Sequence, residues 1–249
     1  MKSMSSSLSA ASKTPALPLT TEQFLKTVHD GQPKTAVFDF DGTLWPGDAG
    51  SGFLQWSIET GLLSPEASER ILGRHAEYHR GEVDEITICG EMTSIYGGLS
   101  ERTIRESAAQ YFVEHVRPRF FPEMIQLVRD LQAKGVDVWA VSSTNNWMIE
   151  EGVRELGIPP HKVLAACVAV EDDLVTERIL DIPSDEGKAA SLRRVGLTHP
   201  DAVFGNSIHD FAMLEMARMA FPVNPSAGLA EQAAKLGWHV YYPDSEASR

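Results

Sequence analysis

The sequence predicts an α/β protein: a doubly wound parallel sheet interrupted after its first strand by an inserted α-helical region. Three observations carry that prediction. Short apolar runs with β-branched and aromatic members, at 36–38, 136–141 and 202–204, stop at Asp39, Ser142 and Gly205, as buried parallel strands stop at polar or turn residues. Helical segments long enough for a crossover lie between them, and strands alternating with such helices build a parallel sheet. Between residues 52 and 116 the spacing is helical almost throughout, with no strand signal to interrupt it.

Residues 1–20 are rich in Ser, Ala and Pro, carry two lysines and lack an apolar segment, so they read as a disordered tail rather than a signal peptide. Residues 21–30 set Phe24, Leu25 and Val28 on one side of a helix that stops at Gly31. After the strand at 36–38, the helical stretch is cut at Gly61, Ser64-Pro65, Gly81 and Gly97-Gly98. Ser64 and Ser100 are N-cap residues, and Pro65 takes the first helical position, where its missing N–H costs nothing. From residue 118 the alternation resumes: helix 122–134, strand 136–141, helix 146–156 and an apolar run at 163–170. Helix 186–195, strand 202–204, helix 211–219 and a short closing pair around Val223 and Val240 follow. Residues 164–179 alternate, turn at Glu171-Asp172-Asp173 and alternate back, which reads as an appended hairpin. Met213, Leu214, Met216 and Met219 are core-facing at helical spacing. The expected organisation is a tail at 1–20, an α/β core at 21–47 and 118–249, and a helical cap at 48–117.

Composition narrows the function. The 249 residues suffice for a sizeable core. With 22 basic against 35 acidic residues, a net charge of −13 and no basic run, the chain offers no phosphate-backbone face for nucleic acid. Cys89 and Cys167 are far apart and form neither a metal spacing nor a disulfide framework, which points to a reducing, cytoplasmic setting. No apolar run has the length of a membrane span. A small-molecule partner is expected, and monomer and homodimer are equally compatible with the chain.

The chemistry concentrates at strand ends. Asp39 and Asp41, one residue apart, end the first apolar run just before Gly42-Thr43, where open α/β sheets bind ligands. Asp-Gly also opens hairpin turns, but two acids this close raise each other's pKa unless a cation joins them, and hard oxygen ligands suit Mg²⁺. The second strand ends in Ser142-Ser143-Thr144-Asn145, whose hydroxyls can donate to a phosphate oxygen as well as cap the next helix. Lys188 sits at a helix start, where a cation is disfavoured and so asks for a reason. The third strand ends in Gly205-Asn206-Ser207, with Asp210 following as an acid or a helix cap.

These stretches, Asp39-Phe40-Asp41-Gly42-Thr43, Ser142, Lys188 and Gly205-Asn206-Ser207 with Asp210, resemble in order the signatures of the haloacid dehalogenase superfamily. The helical insertion, with the Trp147 and Gly187-Lys188 contexts, is similar to the phosphoserine phosphatase-like branch. The resemblance runs from Thr35 to about Tyr242. It implies a Rossmann-like core, a cap over the site and an Mg²⁺-dependent phosphomonoesterase. Asp39 would form an aspartyl-phosphate and Asp41 would act as acid and then base. Ser142, Lys188 and the main-chain amides near Gly42 and Thr43, with Ser143, would hold the phosphoryl group. Asp39, the Asp41 carbonyl, and Asn206 or Asp210 would bind the metal. Asn206 stands where the family usually has aspartate. By the same resemblance Asp48 would meet a substrate amino group, in phosphoserine, phosphoethanolamine or phosphocholine, beside Trp45, Trp56, Tyr78, Tyr96 and Tyr111. The alternatives are a phosphomutase or phosphotransferase of the same fold, or a non-catalytic phosphate-binding or signalling protein. His75 and His79, four residues apart, read as exposed helix residues, and His209 as an incidental helix-start residue.

Overall fold

The computed structural model describes residues 18–247, and the expected tail up to residue 17 lies outside them. Leu19 and Thr20, assigned to that tail, are fixed. Leu19 N–H donates to the Val240 carbonyl at 2.9 Å, and Thr20 caps helix α1 (Thr21–Asp30) in a reciprocal exchange with Gln23.

The strands are β1 (Thr35–Phe38), β2 (Asp137–Asn145), β3 (Val163–Glu171), β4 (Leu174–Asp181), β5 (Ala202–Gly205) and β6 (Met219–Pro222). They form one six-stranded sheet in the order β4-β3-β2-β1-β5-β6, parallel except for the β3–β4 hairpin. Strand β1 lies between β2 and β5, where the winding reverses direction. A crevice therefore opens beyond the carboxyl ends of these three strands. The central strands β1, β2 and β5 are largely buried on both faces, which explains why they read as unbroken apolar runs. Phe38 stacks on Phe204 at 4.3 Å on one face, and Val37, Val141, Leu192 and Val203 cluster on the other.

Helices α6 (Pro122–Ala133), α7 (Asn146–Glu155) and α8 (Glu186–Arg194) fall within a residue of their expected bounds. Three differences stand out. Strand β2 runs on through Ser142 to Asn145, with its register against β3 shifting between those residues. The helix expected at 211–219 ends early, as α9 (Phe211–Glu215), and Met219 opens β6 instead. The open edge of β5 decides this: Met219 pairs with Ala202, and Arg218 N–H donates to the Pro200 carbonyl. Parallel pairing thereby overrides helix propensity. Of the expected apolar stripe, Met213 and Leu214 are buried, while Met216 and Met219 are only partly so. Between Val223 and Val240 lies α10 (Ala227–Leu236), closed by left-handed Gly237 and missed in the sequence although Leu229 and Ala233 mark its buried side.

Between β1 and β2 the chain forms α2 (Ala49–Glu59), α3 (Pro65–His79), α4 (Glu85–Ser94) and α5 (Glu101–Tyr111), broken where the glycines and Ser64-Pro65 predict. A π-helical segment, Phe112–Val116, and a short 3₁₀ turn lead back. Side chains fasten this layer to the core. Arg105 pairs with both Glu101 and Glu150, and the Trp147 indole donates to Glu101 at 3.2 Å. At the hairpin tip, Ser100 donates to the Asp173 carboxylate at 2.7 Å. No described helix is long and apolar enough to cross a membrane.

Candidate active site

The crevice is a cavity of about 250 Å³ whose floor is built from the ends of β1, β2 and β5 and the start of α8. Asp39 is the first residue past β1, and its N–H donates to the Phe204 carbonyl at 2.9 Å, so the sheet itself fixes the carboxylate. One carboxylate oxygen accepts from Lys188 Nζ at 2.6 Å and the other from the Thr43 hydroxyl at 3.0 Å. Lys188 also donates to Asp210 at 2.5 Å, and all three side chains are almost fully buried.

This accounts for a lysine in the first turn of α8. Burial by itself would lower its pKa, but Asp210 and Asp39 outweigh burial and hold it charged. For Asp39 the balance runs the other way. Burial, then the charge of Asp210, raises its pKa above the usual carboxylate range despite Lys188.

Asp41 is held by three donors. Its Oδ1 accepts from the Trp45 indole at 2.6 Å and the Ala49 N–H at 2.7 Å, and its Oδ2 from the Thr144 hydroxyl at 2.6 Å. Burial and the nearby charge of Asp48 nevertheless push its pKa up to about 6. Ser142 and Ser143 border the cavity, and the Ser142 hydroxyl accepts from the Thr144 N–H at 3.1 Å.

Two expected roles meet a different geometry. Neither Gly42 nor Thr43 borders the cavity, and the Thr43 N–H already donates to the Phe40 carbonyl at 3.0 Å. Gly42 instead makes room for Asn206: at its φ of +73°, an added Cβ would lie 1.9 Å from Asn206 Nδ2. Asp210 is tied into the floor through both carboxylate oxygens. Its Oδ1 meets Lys188, and its Oδ2 accepts from the N–H groups of Asn206 and Ser207, each at 2.8 Å. Asn206 itself faces the cavity.

The roof comes from α2, α3 and α4, with His75, Tyr78, Glu85, Ile88 and Met92 among its residues. Asp48 caps α2, accepting from Ser51 N–H at 2.9 Å and Ser51 Oγ at 2.7 Å, and also borders the cavity. Of the five aromatic residues expected at the entrance, only Tyr78 lines it. Trp45 stacks on Phe120 at 5.5 Å, Trp56 and Tyr111 pack around Phe53, and Tyr96 is buried with its hydroxyl on Ser57. Helical packing consumed them. His79 is exposed as expected, whereas His75 is half-buried and lines the cavity.

Glu85 is not marked by any sequence motif, and His209, which reads in the sequence as an incidental helix-start residue, borders the cavity. Glu85 opens α4, carries hydrogen bonds from Tyr78 and Cys89, and faces His209 Nε2 at 3.7 Å. His209 Nδ1 lies 2.7 Å from Asp185, just ahead of α8. Only the folding of α4 over the sheet brings these groups together, and no local pattern announces it.

A sequence model of the haloacid dehalogenase-like hydrolases matches residues 36–215, a span that takes in every floor residue. The chain belongs to this family. A histidinol-phosphatase of Neisseria meningitidis serogroup C is 24% identical over 218 residues, 82% of this chain and 96% of that protein. A probable phosphatase of Mycobacterium tuberculosis is 26% identical over 82% of this chain and 74% of its own length. Among solved structures, a Bordetella pertussis protein of unknown function superposes with a TM-score of 0.74 at 24% identity, covering 83% of this chain and 97% of that one. A substrate-bound phosphoserine phosphatase has a TM-score of 0.59 at 14% identity, covering 87% and 96%. These likenesses establish the fold of a haloacid dehalogenase-like hydrolase.

Proposed function

We propose that this hydrolase is an Mg²⁺-dependent phosphatase that cleaves small-molecule phosphomonoesters through an aspartyl-phosphate, with residues 48–117 acting as the cap. The observation that carries the reading is the buried Asp39–Lys188–Asp210 chain, with Asp41 and Ser142 opening onto the same cavity. The phosphatase names of the Neisseria and Mycobacterium relatives agree with it.

Asp39 attacks phosphorus in line. The bond to the leaving oxygen breaks while Asp41 gives that oxygen a proton. Asp41 then takes a proton from water, the water oxygen attacks phosphorus, and the Asp39–phosphorus bond breaks to release phosphate. Lys188 and Ser142 hold the non-bridging oxygens, since phosphoryl transfer depends mostly on positioning and charge. Thr43 and the Asp39 N–H bond fix the nucleophile, and Asp210 fixes Lys188.

The donor set fits Mg²⁺. Asp39, Asp41 and Asp210 outnumber Lys188, so the floor carries surplus negative charge, and its free donors are oxygens. Asp39, the Asp41 carbonyl and the Asn206 side chain would hold it. Bound there, Mg²⁺ would offset the repulsion between an anionic nucleophile and an anionic ester.

The cavity wall favours an alcohol bearing a primary ammonium group. Asp48 and Glu85 border it, and among the described residues no arginine does, while Lys188 lies on the floor, taken up by its two aspartates and the phosphoryl group. A carboxylate, as in phosphoserine, would find no cation, and one aromatic face is poor company for choline. Phosphoethanolamine and histidinol phosphate suit the wall better, and the latter is the substrate class that the Neisseria relative's name indicates. Steady-state assays with added Mg²⁺ test this. Phosphoethanolamine or histidinol phosphate should exceed glycerol phosphate and phosphoserine in kcat/KM, and Asp48→Asn should lose that preference. Equal kcat/KM for amino and neutral esters would refute the head-group assignment, and full activity after metal chelation would refute the metal.

A further inference from the structure

Lys188 is held by more than its two carboxylates. The turn that delivers it, Ser184 to Gly187, is closed by Gly187 N–H donating to the Ser184 carbonyl at 2.7 Å. Asp185 occupies the second position of that turn at φ 50° and ψ −129°. Those angles belong to a type II′ turn, whose first central position is ordinarily glycine because a Cβ is strained there. A strained non-glycine residue beside catalytic groups calls for a compensating contact. Asp185 does not supply it as a helix cap, since its side chain makes no capping bond to α8. Its carboxylate turns instead to His209 Nδ1, 2.7 Å away.

The arrangement is a pair of rungs. Asp185 and Lys188 stand on the turn and first helical residues of α8, and His209 and Asp210 are neighbours on the turn after β5. One rung is Lys188–Asp210 and the other is Asp185–His209. The His209 N–H is itself anchored to the Ser207 hydroxyl at 3.0 Å, and the ring's other nitrogen faces Glu85 across the cavity.

We propose that His209 is a positioning residue: through Asp185 it sets where Lys188 meets the transferring phosphoryl group. The two ion pairs fix only the Nζ end of a long side chain, and locking the backbone that carries it fixes the other end. The proposal rests on the phosphatase reading and adds a residue to it.

The experiment measures kcat and KM for an aryl phosphate, with melting temperature alongside, in the parent, Asp185→Gly, His209→Ala and His209→Asn. Glycine relieves the backbone strain, so Asp185→Gly should melt no lower than the parent while kcat falls about tenfold or more, the loss expected from misplacing a catalytic group. KM should change little. His209→Ala should show the same loss, and His209→Asn, whose amide can reach where Nδ1 sits, should recover most of kcat. Parental kcat in Asp185→Gly and His209→Ala would overturn the proposal. So would a fall in melting temperature of Asp185→Gly in step with its activity, or an asparagine variant as slow as the alanine one. A parent without aryl phosphatase activity would instead overturn the phosphatase reading, so the two failures are distinct.

Discussion

The floor and the roof of the cavity are held in different ways. Floor groups are buried and saturated: Asp39, Asp210 and Lys188 are each at most 4% exposed, and each has at least two polar partners. The polar roof groups His75, Tyr78 and Glu85 are only half-buried, on helices whose inner faces, through Phe53, Ile71 and Ile88, join the apolar core. A floor of this kind cannot move without stranding a charge, whereas half-buried polar side chains of the roof can be altered at modest cost. On the proposed function, chemistry belongs to the floor and selectivity to the roof, and substitutions in the two regions should separate along that line.

The largest effect belongs to Asp39, the nucleophile of the proposed mechanism. Asp39→Asn should lower turnover of an aryl phosphate by about a thousandfold or more, because an amide forms no acyl-phosphate. Its stability should change in the opposite sense. The native pKa of Asp39 is raised, chiefly by burial, so the folded state binds this proton more tightly than the unfolded state. The stability it contributes is full below the unfolded pKa and lost as pH rises through the native one. Asp39→Asn should then melt above the parent at pH 8, and the gap should close towards pH 5. A variant that melts lower at pH 8 would mean that the carboxylate strengthens the floor.

Asp41 should matter less, and selectively. Asp41→Asn should cost about a hundredfold with alkyl phosphates, within the range for general acids, and far less with aryl phosphates, whose leaving groups need no proton. With a pKa near 6, the acid form is lost as pH rises, so parental kcat/KM for alkyl esters should decline above about pH 6 while that for aryl esters stays flatter. Parallel pH profiles would place Asp41 outside proton transfer.

The roof should give the smallest change. Tyr78→Phe deletes one hydrogen bond to Glu85, worth about 1 kcal/mol, so KM for an amino phosphomonoester should rise by several-fold with kcat nearly kept. A loss in kcat as large as that of Asp41→Asn would erase the division between roof and floor.

The contrast also marks how far the sequence could be read. Asp39, Asp41, Ser142 and Lys188 were legible because each sits where a strand ends or a helix begins, and those boundaries are local. An apolar run needs no partner to be recognised, and the residue that ends it faces the crevice whenever the sheet is parallel. The cap helices were legible too, since their breaks are written in Gly61, Ser64-Pro65, Gly81 and Gly97-Gly98. Tertiary structure alone decided the rest. The free edge of β5 drew Met219 out of a helix into β6. Core packing took Trp45 and Tyr96 away from the entrance and left Tyr78 there. Asp210 became a support for Lys188 because two main-chain N–H groups claimed its second oxygen. Glu85 met His209 across more than a hundred residues because one helix folds over the sheet, and a contact between surfaces leaves no period in either segment.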